Sequence, residues 1–92
     1  MWTVAKGSKF KTDYRKLIRS GRFDRKAFDD ILRLLLKRSP LPPEAEDHPL
    51  HGVWDGYRNC HIAGDLVLIY KVDETKHQIG LVRIGNHSEL FG

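Results

Sequence analysis

The chain has little of several things, and each shortage excludes a class. Cys60 is the one cysteine in 92 residues. A lone thiol forms no internal disulfide and no thiolate zinc site. No apolar run approaches the roughly 18 residues of a membrane-spanning helix, so no membrane partner is expected. The first residues show no apolar stretch leading to a small-residue cleavage site, so no secretory signal is expected. These absences predict a soluble, cytoplasmic protein. No Gly-rich phosphate loop and no nucleophile elbow is present. There is no internal repeat and no low-complexity tract.

What is present is charge, unevenly spread. Residues 1–43 carry 12 Lys and Arg against 4 acidic residues, a balance of +8. Residues 44–92 carry 4 against 8, a balance of −4. A basic half beside an acidic, histidine-bearing half suits an anionic partner held by one part of the chain. Two solvated basic helices would give the same count. At 40% hydrophobic residues the chain builds one core, so residues 1–92 are read as a single domain.

Periodicity predicts the elements. Trp2–Lys6 alternates as a short strand. Ser8 is a candidate N-cap, and Phe10, Tyr14, Leu17 and Ile18 then share one helical face until Gly21. Asp24 caps a second helix striped by Ala27, Phe28, Ile31, Leu32 and Leu35. Ser39-Pro40 stops it. The short link between the stripes makes an antiparallel helical hairpin. Residues 39–47 (SPLPPEAED) read as an ordered connector. Beyond it come a short strand at Gly52–Trp54, a strand at Tyr57–Ile62, and a tight turn at Ala63-Gly64. Asp65–Asp73 is nearly continuously apolar, as a strand buried on both faces is. Glu74–His77 turns, and Gln78–Asn86 closes the sheet. The fold class is α+β: a small antiparallel sheet with an N-terminal helical hairpin packed on it, in the order β-α-α-β-β-β.

The chemistry-bearing residues fall in the strand half. His48, His61 and His87 sit at element edges, which an antiparallel meander brings together. Asp65 lies across a tight turn from His61, so the two are expected to be neighbours. Arg83 sits within the last strand, where a buried cation requires a partner or a ligand. Histidine gives or takes a proton near neutrality. Two such groups and an arginine suit RNA cleavage. The 2′-hydroxyl must lose a proton, the leaving 5′-oxygen must gain one, and the phosphate charge must be stabilised. Each residue also has a structural alternative. His48 can fix the loop before Pro49. His61 and Asp65 can pair across the turn. Arg83 can neutralise an acidic side chain. His51 and His77 read as surface residues. His48 and His51 form an HxxH pair without a third ligand at metal-site spacing. Cys60 is expected to face the core. Phe91 either closes the core or stacks on a base.

The segments DHPLHGVWDGYRNCHIAGDLVLIYK (47–71) and VRIGNHSELFG (82–92) resemble the YafQ branch of the RelE superfamily. These are toxins of bacterial type II toxin–antitoxin pairs. The resemblance spans the whole chain and is specific in the strand half. It implies a ribosome-dependent, metal-independent mRNA endoribonuclease that works in the A site and needs no cofactor. The implied products carry a 2′,3′-cyclic phosphate and a 5′-hydroxyl. It implies a cognate antitoxin as partner, besides ribosome and mRNA. His87 matches the general acid. His48, His61 or Asp65 matches the base, with the choice among them open. Arg83 matches the phosphate-stabilising arginine and Phe91 the base-holding aromatic. Asn59 stands where such proteins often carry an acid, and Leu66 where an aromatic occurs. The helical Lys and Arg would then face ribosomal RNA. The competing expectation is a non-catalytic RNA- or ribosome-binding module with structural histidines.

Overall fold

All 92 residues are described in a computed structural model. The elements are β1 (Thr3–Lys6), α1 (Ser8–Ser20), α2 (Arg25–Leu36), β2 (His48–Pro49), β3 (Arg58–Ala63), β4 (Leu66–Asp73), β5 (Gln78–Asn86) and α3 (His87–Phe91). Tight 3-10 turns occupy Pro43–Ala45 and Gly52–Trp54.

The helical hairpin forms as its sequence dictates, with one shift at its start. Gly7, not Ser8, holds the N-cap position of α1. The Gly7 N–H donates to the Leu81 carbonyl, so the sheet edge holds that residue extended and the helix begins directly after it. Gly21 ends α1 at φ 70°, a left-handed conformation natural to glycine. The Asp24 carboxylate accepts from the Ala27 N–H at 3.0 Å and opens α2.

The sheet runs β1-β5-β4-β3-β2. The β3–β4–β5 meander is as expected. β1 is different: it pairs parallel with β5, Thr3 opposite Gln78. Two elements were absent from the expected order, the two-residue β2 and the terminal α3. Gly52–Trp54 is a 3-10 turn, not a strand. Gly52 takes φ 67° and Gly56 φ 92°, which coil this segment rather than extend it. The β3–β4 turn is Gly64–Asp65, one residue later than Ala63-Gly64. A bulge between His61 and Ala63 absorbs the shift, so Asp65 sits in the turn rather than opening β4.

Both faces of the sheet are covered at its centre. On one face Phe10, Phe28, Ile31 and Leu35 pack onto Cys60, Leu68, Tyr70, Ile79, Leu81 and Ile84. Ile18 stays 50% exposed. It lies at the margin of the α1 stripe, and that helix packs chiefly along β5. On the opposite face Leu90 of α3 covers Val67 and Ile69, flanked by Leu50, Trp54, Tyr57, Val82 and Phe91. This double cover explains the unbroken apolar run of β4. Each such side chain, fully buried, contributes roughly 1.5–3 kcal/mol. Gly85 lets α3 come close. A Cβ there would meet Glu89 Oε1 at 3.1 Å and Leu90 Cδ2 at 3.4 Å. No helix is long and apolar enough to cross a membrane.

Candidate active site

Strand register brings distant residues to one face. His48 lies opposite Asn59, and Asn59 opposite Ile69. His61 lies opposite Val67, and Val67 opposite Gly85. Directly opposed residues share a face of the sheet. His48 and His61 therefore lie on the face that α3 covers, and His87 is the first residue of α3.

His48 is exposed and its ring is fixed. Nδ1 lies 2.6 Å from the Glu46 carbonyl oxygen. A carbonyl only accepts, so Nδ1 carries the hydrogen and donates it. In the neutral ring this tautomer puts the lone pair on Nε2, the form a general base requires. The residue before it is anchored on the other face. The Tyr70 hydroxyl donates to Asp47 Oδ1, and Arg58 donates to Asp47 through Nε at 3.3 Å and its terminal nitrogen at 3.2 Å. The Asp47 hydrogen bond holds the Arg58 pKa above its usual value. Burial pushes the Tyr70 hydroxyl pKa up, and Asp47 adds to it. Tyr70 and Arg58 thus stay protonated and keep the clamp closed.

His87 is exposed and held by its own short helix. The Asn86 side chain accepts from the Glu89 N–H at 2.8 Å, and Glu89 Oε1 accepts from the Asn86 N–H at 3.0 Å. This reciprocal box stiffens the turn. The His87 ring packs on Phe91, one helical turn on, with centroids 4.7 Å apart. Phe91 meets Trp54 edge-on at 6.4 Å, and Trp54 meets Tyr57 at 5.5 Å. The rings form a continuous row.

Arg83 has the partner its burial demanded, and that partner is Asp13 of α1. Nε donates to Oδ2 at 2.6 Å and a terminal nitrogen to Oδ1 at 3.0 Å. The same carboxylate accepts from the Ile84 N–H. Asp13 raises the pKa of Arg83 further. The guanidinium is therefore a fixed cation rather than a swinging one.

Not every expected neighbour meets. The bulge sets His61 opposite Val67, not Asp65. Asp65 is exposed on its turn. Asn59 is 2% exposed, and its Oδ1 has no hydrogen-bond partner. A neutral side chain suits such burial better than an ionised carboxylate would. His51 and His77 are exposed, as expected. His77 stacks on Trp2. No three His, Cys, Asp or Glu side chains converge as metal ligands. Burial raises the pKa of the Cys60 thiol to about 12, which leaves it inert.

Asp13, Asp47 and the Asn86–Glu89 box escaped the sequence reading. Each left a signal. Asp13 lies within the apolar stripe between Phe10 and Leu17. Asp47 directly precedes a candidate histidine. Asn86-x-x-Glu89 is a capping-box pattern.

A helical hairpin on one face of a five-stranded sheet and a histidine-bearing opposite face make this a small α+β domain with a candidate acid–base site. A copper-bound mutant toxin from Helicobacter pylori superposes at TM-score 0.91, with 37% identity over 99% of this chain and 100% of that one. YafQ in the Escherichia coli DinJ–YafQ complex superposes at 0.85, with 32% identity over 100% of both chains. The family model for YafQ, bacterial toxin of type II toxin–antitoxin systems, matches residues 2–92, and the chain belongs to that family. An mRNA interferase toxin YafQ of E. coli K12 is 43% identical over 63 residues, 67% of this chain. A protein of Haemophilus influenzae described as a YafQ toxin is 45% identical over 60 residues, 63% of this chain. The matched stretches span 66% and 59% of those relatives' lengths.

Proposed function

We propose that this protein is the toxin of a type II toxin–antitoxin pair and cuts mRNA on the ribosome by metal-independent acid–base catalysis. The observation that carries the reading is the arrangement of His48 and His87. One ring is held through Nδ1 beside the sheet, and the other stands on Phe91 at the start of α3, on the same face. His48, or His61 or Asp65 in its place, takes the proton from the 2′-hydroxyl. The 2′-oxygen bonds to phosphorus as the bond to the 5′-oxygen breaks. His87 gives its proton to that leaving oxygen. The products are a 2′,3′-cyclic phosphate and a 5′-hydroxyl. Among the three candidate bases, the fixed tautomer of His48 favours it. Arg83, held by Asp13, stabilises the charge on the phosphate. Phe91 holds a base against the site.

The partners follow from this reading. The ribosomal A site supplies the message, and the basic helices face ribosomal RNA, a polyanion. A cognate antitoxin silences the toxin, as the E. coli relative's complex with DinJ suggests for this chain.

The test is a translation reaction on a defined message with the protein and its His87→Gln variant, ends mapped by primer extension. A parallel reaction uses naked RNA with chelator. Cuts should appear only during translation. They should fall by roughly 10²–10⁴-fold in the variant, the usual contribution of a general acid. An intact message with the unaltered protein would sink the reading. Cuts at full rate with His87→Gln would remove His87 from the chemistry.

A further inference from the structure

A cleft of about 580 Å³ lies beside the row of rings, between the start of α1 and the sheet. Its lining includes Lys6, Lys9, Trp54, Tyr57, Lys71 and Arg83, and no carboxylate. Four other clefts on the molecule each carry at least one Asp or Glu. Only Arg83 among its cations is ion-paired; Lys6, Lys9 and Lys71 have no carboxylate within 4 Å. The Lys71 ammonium sits over the Tyr57 ring at 5.3 Å. Tyr57 leads through Trp54 and Phe91 to His87 by ring contacts of 5.5, 6.4 and 4.7 Å. An unpaired cationic pocket walled by aromatics attracts phosphates and offers faces on which bases stack.

We propose that this cleft is a subsite for single-stranded RNA, holding the nucleotides of the message that flank the cut. Lys9 and Lys71 take the backbone phosphates, and Tyr57 and Trp54 take a base. The lining has no fixed array of side-chain amides or carboxylates to read base edges. The proposal rests on the cleavage reading above for the position of the cut, while the binding itself is independent of it.

The test is fluorescence anisotropy with a uridine hexamer methylated at every 2′-oxygen, which cannot be cut. Lys9→Gln with Lys71→Gln should weaken binding about tenfold and flatten the salt dependence by about 1.4 in log K against log salt, 0.7 for each lost phosphate contact. Lys9→Arg with Lys71→Arg should restore both. Lys37→Gln with Lys76→Gln, exposed and outside the cleft, should change little. Hexaglutamate should bind at least tenfold more weakly than the RNA, because it has no base to stack.

Equal losses from the two Gln pairs would overturn the proposal. So would no measurable binding by the unaltered protein, or hexaglutamate binding as tightly as RNA. Cleft-dependent binding without any cleavage during translation would uphold the subsite and refute the catalytic reading. Cleavage with cleft-independent binding would do the reverse.

Discussion

Asp13 is the residue whose removal tests the architecture of the site most sharply. It is the only carboxylate in α1, and it holds Arg83 with two hydrogen bonds and the Ile84 N–H with a third. The side chains are 11% and 24% exposed, so the pair is mostly, not wholly, withdrawn from water. Breaking a fully buried pair costs roughly 3–5 kcal/mol, and an exposed one is worth below about 1. Asp13→Asn should therefore cost about 2–3 kcal/mol. For a domain of this size that lowers Tm by roughly 10–20 °C. Arg83→Gln should cost a similar amount, because it strands the Asp13 carboxylate. The double variant leaves neither charge unpaired, so it should lose less than the sum. A coupling of about 1.5–2 kcal/mol is expected from urea unfolding of the four proteins. It should persist in 1 M salt, since a buried pair is poorly screened. A coupling below about 0.5 kcal/mol would refute the argument and reduce the pair to an ordinary surface contact.

Two further outcomes follow from the packing. At pH 8 the folded Cys60 thiol should alkylate about a thousandfold more slowly than a free thiol, since its pKa lies near 12 rather than 9.0. Raised in the folded state, this pKa adds stability below about pH 9 that is lost as pH climbs towards 12; rapid labelling, or stability rising over that window, would contradict its burial. Gly85→Ala should destabilise by about 1 kcal/mol as α3 is pushed off the sheet, with a near-ultraviolet dichroism change from Trp54; an unchanged urea midpoint would show that Glu89 yields freely.

The parts of the fold readable in the sequence were those set by local pattern. The stripe of Phe28, Ile31 and Leu35 gave α2, and the unbroken run from Val67 to Tyr70 announced a strand covered twice. Gln78–Asn86 was legible to the residue. What escaped depends on partners far along the chain. β2 exists only because His48 and Pro49 find Asn59 and Arg58. The parallel pairing of β1 with β5 has no local signature at all. α3 spans too few residues to show a stripe, although its cap was written in the sequence. For the candidate site, the placement of His48 and His87 at element edges was legible. The clamp on Asp47 and the partner of Arg83 were not, because each joins elements that only the tertiary fold brings together.

The pairing of β1 with β5 also orders events in time. Synthesis proceeds from the first strand, yet its neighbour in the sheet is the last. Until residues 78–86 emerge, β1 has no partner and one side of β4 stays open, while the Asp13 carboxylate waits for a guanidinium not yet made. Such distant pairings close late. His87, Phe91 and their helix are made later still. A nascent chain stalled before β5 can carry its basic helices and His48, but it holds no assembled site.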